Sequence, residues 1–279
     1  MSTLARPIPV RVRARARASA SDEIIGRSSP PLFRSPFAPA EPFWTKRWKE
    51  SVDERIKHGT YCDYVIDARD RAEVFGYRLG VVACAVGLVA SAVGSGRGAS
   101  GDAAANVAWF VGGGGLGLSL WLIHMYVSEI RSAMRLMWGI GYGASALIAG
   151  TSGESAPAYV LEHPSSMLAV GWMFAALTGL AFKEGMCYGK PEAGALFFAV
   201  PLMCLSHLFG APEEFQSLSA TGVGVLLLIF AARKFTQPVA DDVGDKSIFM
   251  FNAIEDPEEK ERWLVNARAS GRAYVDEDV

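Results

Sequence analysis

Residues 116–143 read LGLSLWLIHMYVSEIRSAMRLMWGIGYG, and the reading of this stretch decides the fold class. Both ends are apolar enough for a bilayer; the middle is not. His124, Ser128, Arg131 and Arg135 recur there at spacings of four, three and four. On a helix that spacing puts all four on one face, with Ile130, Met134 and Met137 on the apolar side opposite. No Gly or Pro interrupts Val127 to Trp138. The stretch therefore predicts two membrane spans joined by a continuous or sharply bent helical connector.

Outward from it, the apolar character continues. The chain has 279 residues, 51% of them hydrophobic and 20% charged, and between about Leu79 and Ala232 the charges fall in short intervals. A bilayer core of about 30 Å takes roughly 20 apolar residues in a helix. Six segments are expected to cross it: Leu79–Gly94, Ala103–Val127, Met134–Thr151, Ser165–Phe182, Ala193–Gly210 and Leu218–Ala232. The fold class is thus all-α, a polytopic bundle over residues 79–234.

Loop charges set an orientation. Arg69, Arg71 and Arg78 precede the first span, Arg131 and Arg135 lie between the second and third, Lys183 and Lys190 between the fourth and fifth, and Arg233 and Lys234 follow the sixth. The other loops offer Arg97 with Asp102, Glu154, Glu162, Glu213 and Glu214. Basic residues concentrate on the side that is not translocated, so both tails are expected there. Pro next to acid marks helix starts at Lys190-Pro191-Glu192, Pro212-Glu213-Glu214 and Asp256-Pro257-Glu258, because a first-turn Pro lacks only an N–H that would be unpaired and the acids meet the positive end of the helix dipole.

The ends are different in kind. Residues 1–35 carry Arg6, Arg11, Arg13, Arg15 and Arg17 with no acid before Asp22, and no apolar core. That is the composition of an organellar transit peptide followed by a Pro-rich linker, with a basic tail as the alternative. No nucleic-acid partner is expected. In residues 36–78, Trp44, Trp48, Val52 and Ile56 form the apolar stripe of an amphipathic helix suited to a headgroup layer or a partner protein, and Tyr61 to Arg78 reads as a polar helical lead-in. Residues 235–279 form a soluble tail with one short helix, Asp256–Ala269. Cys62, Cys84, Cys187 and Cys204 have no metal or disulfide spacing and read as packing residues.

Two groups of residues are candidate sites. His124, Ser128, Arg131 and Arg135, with His207 in the other half of the bundle, could hold a lipid headgroup or a pigment, the His coordinating chlorophyll magnesium and the Arg pairing an anion. Lys183, Glu184, Cys187, Tyr188 and Lys190 crowd the turn between the fourth and fifth spans, where Gly185 and Gly189 permit a tight return. No GxSxG, HExxH, P-loop or paired-carboxylate motif occurs, so no catalytic residue and no metal ligand is assigned and an enzyme is not expected.

LWLIHMY (Leu120–Tyr126), AFKEGMCYGKPEA (Ala181–Ala193) and SHLFG (Ser206–Gly210) resemble an uncharacterised integral-membrane family, a domain of unknown function of cyanobacteria and plastids. The likeness covers about residues 75–235. It implies a multi-pass fold and a plastid membrane, thylakoid or inner envelope, with the tails in the stroma. The expected role is a non-enzymatic accessory or assembly protein of a membrane complex, binding lipid or pigment at the stromal face. The alternative is a small-solute transporter or channel with a site between the two three-helix halves.

Overall fold

The computed structural model describes residues 56–272, apart from the side chains of Cys187 and Tyr188. The expected transit peptide and linker, residues 1–35, and all but the last residue of the expected Trp44–Ile56 helix lie outside the described residues. Two short strands, β1 (Lys57–His58) and β2 (Asp63–Tyr64), pair antiparallel. Ten α-helices follow among the described residues: α1 (Ala68–Gly94), α2 (Ala99–Leu122), α3 (Ser128–Thr151), α4 (Ala156–Glu162), α5 (Met167–Tyr188), α6 (Pro191–Leu208), α7 (Glu213–Arg233), α8 (Val239–Val243), α9 (Lys246–Asn252) and α10 (Pro257–Ala269). A 3-10 turn, Pro164–Ser166, leads into α5.

The lead-in differs from its expected helix. Tyr61 to Asp67 is ribbon and turn, because Asp67 starts α1 instead of sitting within it. Its carboxylate accepts from the N–H of Arg69 and of Asp70, and the Asp70 carboxylate accepts from the Asp67 N–H at 3.0 Å. Such a reciprocal cap satisfies donors that open every helix.

The six long helices run alternately up and down. Packing proceeds from α1 to α2, α3, α5, α6 and α7, and α7 closes back on α1. Five of them are long and apolar enough to cross a membrane by length and composition. The exception is α3, whose 24 residues match its neighbours in length while Glu129, Arg131 and Arg135 dilute its hydropathy. Large apolar side chains face outward from the bundle, among them Phe198 at 72% exposed, Leu218 at 70% and Leu147 at 66%. Water would penalise such a surface; lipid does not. The protein is an all-α, multi-pass membrane protein.

Close helix contact is concentrated between α1 and α2. A Cβ on Gly112 would stand 2.8 Å from the Leu88 nitrogen, and one on Gly115 would stand 2.7 Å from the Gly80 oxygen. In lipid, where helix association gains little from hydrophobicity, backbone approach of this kind supplies the dispersion contact. On α3 the small residues divide by face. Gly141 lies against the backbone of Met173 on α5, whereas Gly139 and Gly143 have open space around them. Gly112→Leu should therefore lower the unfolding free energy in detergent by about 1–3 kcal/mol through overpacking, and Gly143→Leu should change it by less than about 0.5 kcal/mol. Equal effects would show that the α1–α2 seam is not the tight contact.

The segments flanking the bundle meet at one end. Thr60 donates its N–H to Asp245 at 2.7 Å, Tyr61 donates to Ser247 at 3.1 Å, and the Tyr64 hydroxyl donates to the Gly244 carbonyl at 3.0 Å. Arg272 reaches Asp63 at 2.6 Å and Lys246 bridges Asp67 and Asp70. The tail helices α8 and α9 thus form a strap across the bundle end.

A buried ionic centre at the bundle end

The turn between α5 and α6 builds the site. Gly189 closes α5 in the left-handed region, with φ 60 and ψ 34. Glycine adopts that conformation without cost. Lys190 is thereby turned back over the last turn of α5, and Pro191 then opens α6 in its favoured first position. A tight approach of Gly185 to Gly194 lets the two helices close on each other.

At the centre is Glu184, fully buried. Its Oε1 accepts from the Tyr77 hydroxyl at 2.6 Å and from the Lys183 ammonium at 3.1 Å. Its Oε2 accepts from Lys234 at 2.7 Å and from Lys190. A carboxylate offers about four acceptor positions, and here all four are taken. Lys234, 1% exposed, also donates to Asp242 on α8 at 2.8 Å and lies 4.8 Å above the Tyr77 ring. Asp242 in turn receives Arg78 at 2.6 Å and Gln237 at 3.1 Å, and Gln237 accepts from Lys190 at 2.6 Å. Five segments of the chain converge on two carboxylates. Burial is the main force pushing the Lys190 ammonium below its ordinary range, with Glu184 acting in the opposite sense.

The candidate residues fall into two places. Lys183, Glu184 and Lys190 come together in this centre; Cys187 and Tyr188 lie on the last turn of α5, their side chains outside the described set. The spacing of His124, Ser128, Arg131 and Arg135 predicts one helical face, but the helix stops at Leu122 and restarts at Ser128. The chain must reverse for α3 to pack on α2 and α5, so Ile123 to Val127 leave helical geometry although no Gly or Pro marks the break. His124 turns its Nε2 toward Glu73 at 3.4 Å, with its ring edge-on to Phe249 of the strap. Arg135 donates to the Leu120 and Trp121 carbonyls at 3.0 and 2.8 Å, capping the carbonyl end of α2, and stacks over the Trp121 ring. Among the described residues Arg131 keeps a buried Nε with no hydrogen-bond partner, and Ser128 is exposed. His207 sits at the opposite end of the bundle and is not brought near His124.

Tyr77, Arg78, Lys234 and Asp242 were invisible as a set. Tyr77 and Glu184 are 107 positions apart, and Asp242 lies in what reads as a soluble tail. The local signals are Arg78 before the first span and the pair Arg233-Lys234 at the end of the sixth, both read there as loop charges.

Residues 118–251, from the end of α2 through α9, match the family described as "Uncharacterized integral membrane protein (DUF2301)". Over 98 residues the chain is 35% identical to an uncharacterized protein of Haemophilus influenzae, an alignment that covers 32% of this chain and 51% of that protein. The chain thus spans about half the length of this relative. No solved structure matches. The likeness agrees with an integral membrane protein, and it extends to a bacterium that is neither cyanobacterial nor plastid.

Removing one member of a buried charge pair leaves the others uncompensated. Glu184→Gln should cost about 3–5 kcal/mol of stability by that rule, read as a lowered unfolding midpoint in detergent. Arg69→Ala breaks the half-exposed pair with Glu73 and should cost less than about 1 kcal/mol. A Glu184→Gln effect as small as that of Arg69→Ala would mean the centre contributes nothing net.

The strap titrates at its edge. Desolvation alone would raise Asp245, but hydrogen bonds from Ser247 and Thr60 more than offset it and hold the carboxyl below its usual range. For Asp67, desolvation is likewise outweighed by the Asp70 N–H and by Lys246. A depressed carboxyl stabilises above its unfolded value, about 3.9, and that contribution is lost as pH falls through the folded value. Lys246 is raised, burial being outweighed by Asp70 and Asp67, and stays charged throughout acid, while Asp70 is itself raised by desolvation and acts against the loss. Pepsin cleavage at Phe249 or Phe251 should therefore appear as pH falls from about 4.5 to about 2.5, and should already be present at the upper value in Asp245→Asn. Equal cleavage of the two proteins at the upper value would contradict this.

Proposed function

We propose that this chain is a six-span protein of a plastid membrane, with both tails in the stroma, acting as a non-enzymatic accessory or assembly subunit of a membrane complex. One observation carries the structural role: the two buried carboxylates at the bundle end have their acceptor positions filled by neighbouring side chains. A general base or a ligand-binding carboxylate needs an open acceptor position, and the four positions on Glu184 are occupied by Tyr77, Lys183, Lys190 and Lys234. Such a centre fixes the strap and presents α9, α10 and the β-ribbon as a rigid face.

The six-span reading draws on parity. Segments 57–64 and 244–247 are hydrogen-bonded to each other, and chain ends that meet at one end of the bundle require an even number of crossings between them. Counting α3 with the five more apolar helices gives six. Plastid targeting is supported by the acid-free, Arg- and Ala-rich start and by the family resemblance. Lipid suits the stromal face better than pigment, because Arg131 and Trp121 lie there and His124, the candidate pigment ligand on that face, turns its Nε2 toward Glu73 at 3.4 Å. The separation of His124 from His207 disfavours a single transport site between the halves.

Native-gel migration of solubilised plastid membranes tests the role. The protein should comigrate with a complex several times its own 30.0 kDa mass. Migration as a free monomer or dimer in the mildest detergent would contradict an accessory subunit.

A further inference from the structure

His207 occupies the last turn of α6, at the end of the bundle opposite the strap. Its Nε2 lies 2.8 Å from the Val160 carbonyl oxygen, and its Nδ1 lies 2.9 Å from the Gln216 side-chain oxygen. The Gln216 amide nitrogen in turn donates to the Ala211 carbonyl at 2.7 Å. Both terminal oxygens are fixed acceptors. Val160 stands four residues before Pro164, which has no N–H to offer it. Ala211 precedes α7, whose first turn bonds instead to Pro212.

Three contacts therefore run in a chain, from Val160 oxygen to His207, to Gln216, to Ala211 oxygen. A neutral imidazole has one donor and one acceptor, and the amide has one donor end and one acceptor end. If neutral His207 donates to Val160, its other nitrogen can accept only from the Gln216 amide, which then turns its oxygen on the Ala211 oxygen. If it donates to Gln216, its lone pair faces Val160. Every neutral arrangement leaves one acceptor against another, whichever way the amide is oriented. The imidazolium, with two donors, satisfies all three contacts.

We infer that His207 and Gln216 form a protonation-dependent latch that ties α4 to the turn between α6 and α7. The latch is closed when His207 is charged and loses one contact when it is neutral, so acid on this side of the membrane closes it. The ionisable groups on the elements around it are Glu162, His163 and Tyr159 at α4, Glu154 before it, Glu213 and Glu214 at the start of α7, and Cys204 on α6. Among the described residues, none of them bonds or pairs with His207, whose partners are Val160 and Gln216.

The test is a spin-label distance between Leu161→Cys and Ser217→Cys, both exposed positions, in full-length protein with its native cysteines replaced by Ala and held in lipid nanodiscs. At about pH 5 one short, narrow distance is expected; toward about pH 8 a longer population should grow. Their ratio should change by no more than about tenfold per pH unit, as for a single proton. His207→Asn should abolish the pH response. Gln216→Ala should abolish it too while His207 is still present, because a neutral ring then donates to Val160 with no second acceptor to face. A wild-type distribution that is the same at both pH values, or a response that survives in either variant, overturns the latch.

Discussion

Glu184 is the point on which the end of the bundle depends. Isolated in a helix terminus facing lipid headgroups, a buried carboxylate would cost several kcal/mol. It is tolerated because Tyr77, Lys183, Lys190 and Lys234 occupy its acceptor positions. Each of those partners belongs to a segment that must be in place first: α1, α5, the α5–α6 turn and the end of α7. Asp242 then ties the strap to the same ammonium and to Arg78. The centre demands assembly of the whole bundle end and rewards nothing less.

This changes the meaning of the basic residues whose loop distribution sets the expected orientation. Of the nine on the side with the tails, Arg69, Arg78, Arg135, Lys183, Lys190, Arg233 and Lys234 are each engaged with a carboxylate or a carbonyl. The positive-inside bias and the ionic centre use the same side chains. A bias of this kind favours one orientation during insertion, and in the closed bundle the same side chains are held by carboxylates or carbonyls.

The helices were legible because bilayer length leaves a coarse mark: long apolar runs bounded by charge, with Pro191 and Pro257 at helix starts as expected. The turn at Gly189 was legible for the same local reason. Two things were not. The stripe from His124 to Arg135 obeys helical spacing, yet the helix breaks at Ile123, since reversal of the chain is a tertiary requirement with no local breaker to announce it. The partners of Glu184 lie 50 and 107 positions away, and no periodicity in one sequence joins Tyr77 or Asp242 to the FKEG turn. Residues such as Lys183 and Lys190 look like headgroup anchors until the strap is placed over them.

Both flanking segments held on one end of the bundle is the claim on which the rest stands. Its most direct measurement is protease access to tags at the two termini of the inserted protein in sealed, oriented vesicles. Both tags should be cut from the same side, and both protected when the orientation is reversed. One tag cut and the other protected would mean an odd number of crossings and would contradict the ionic closure described above.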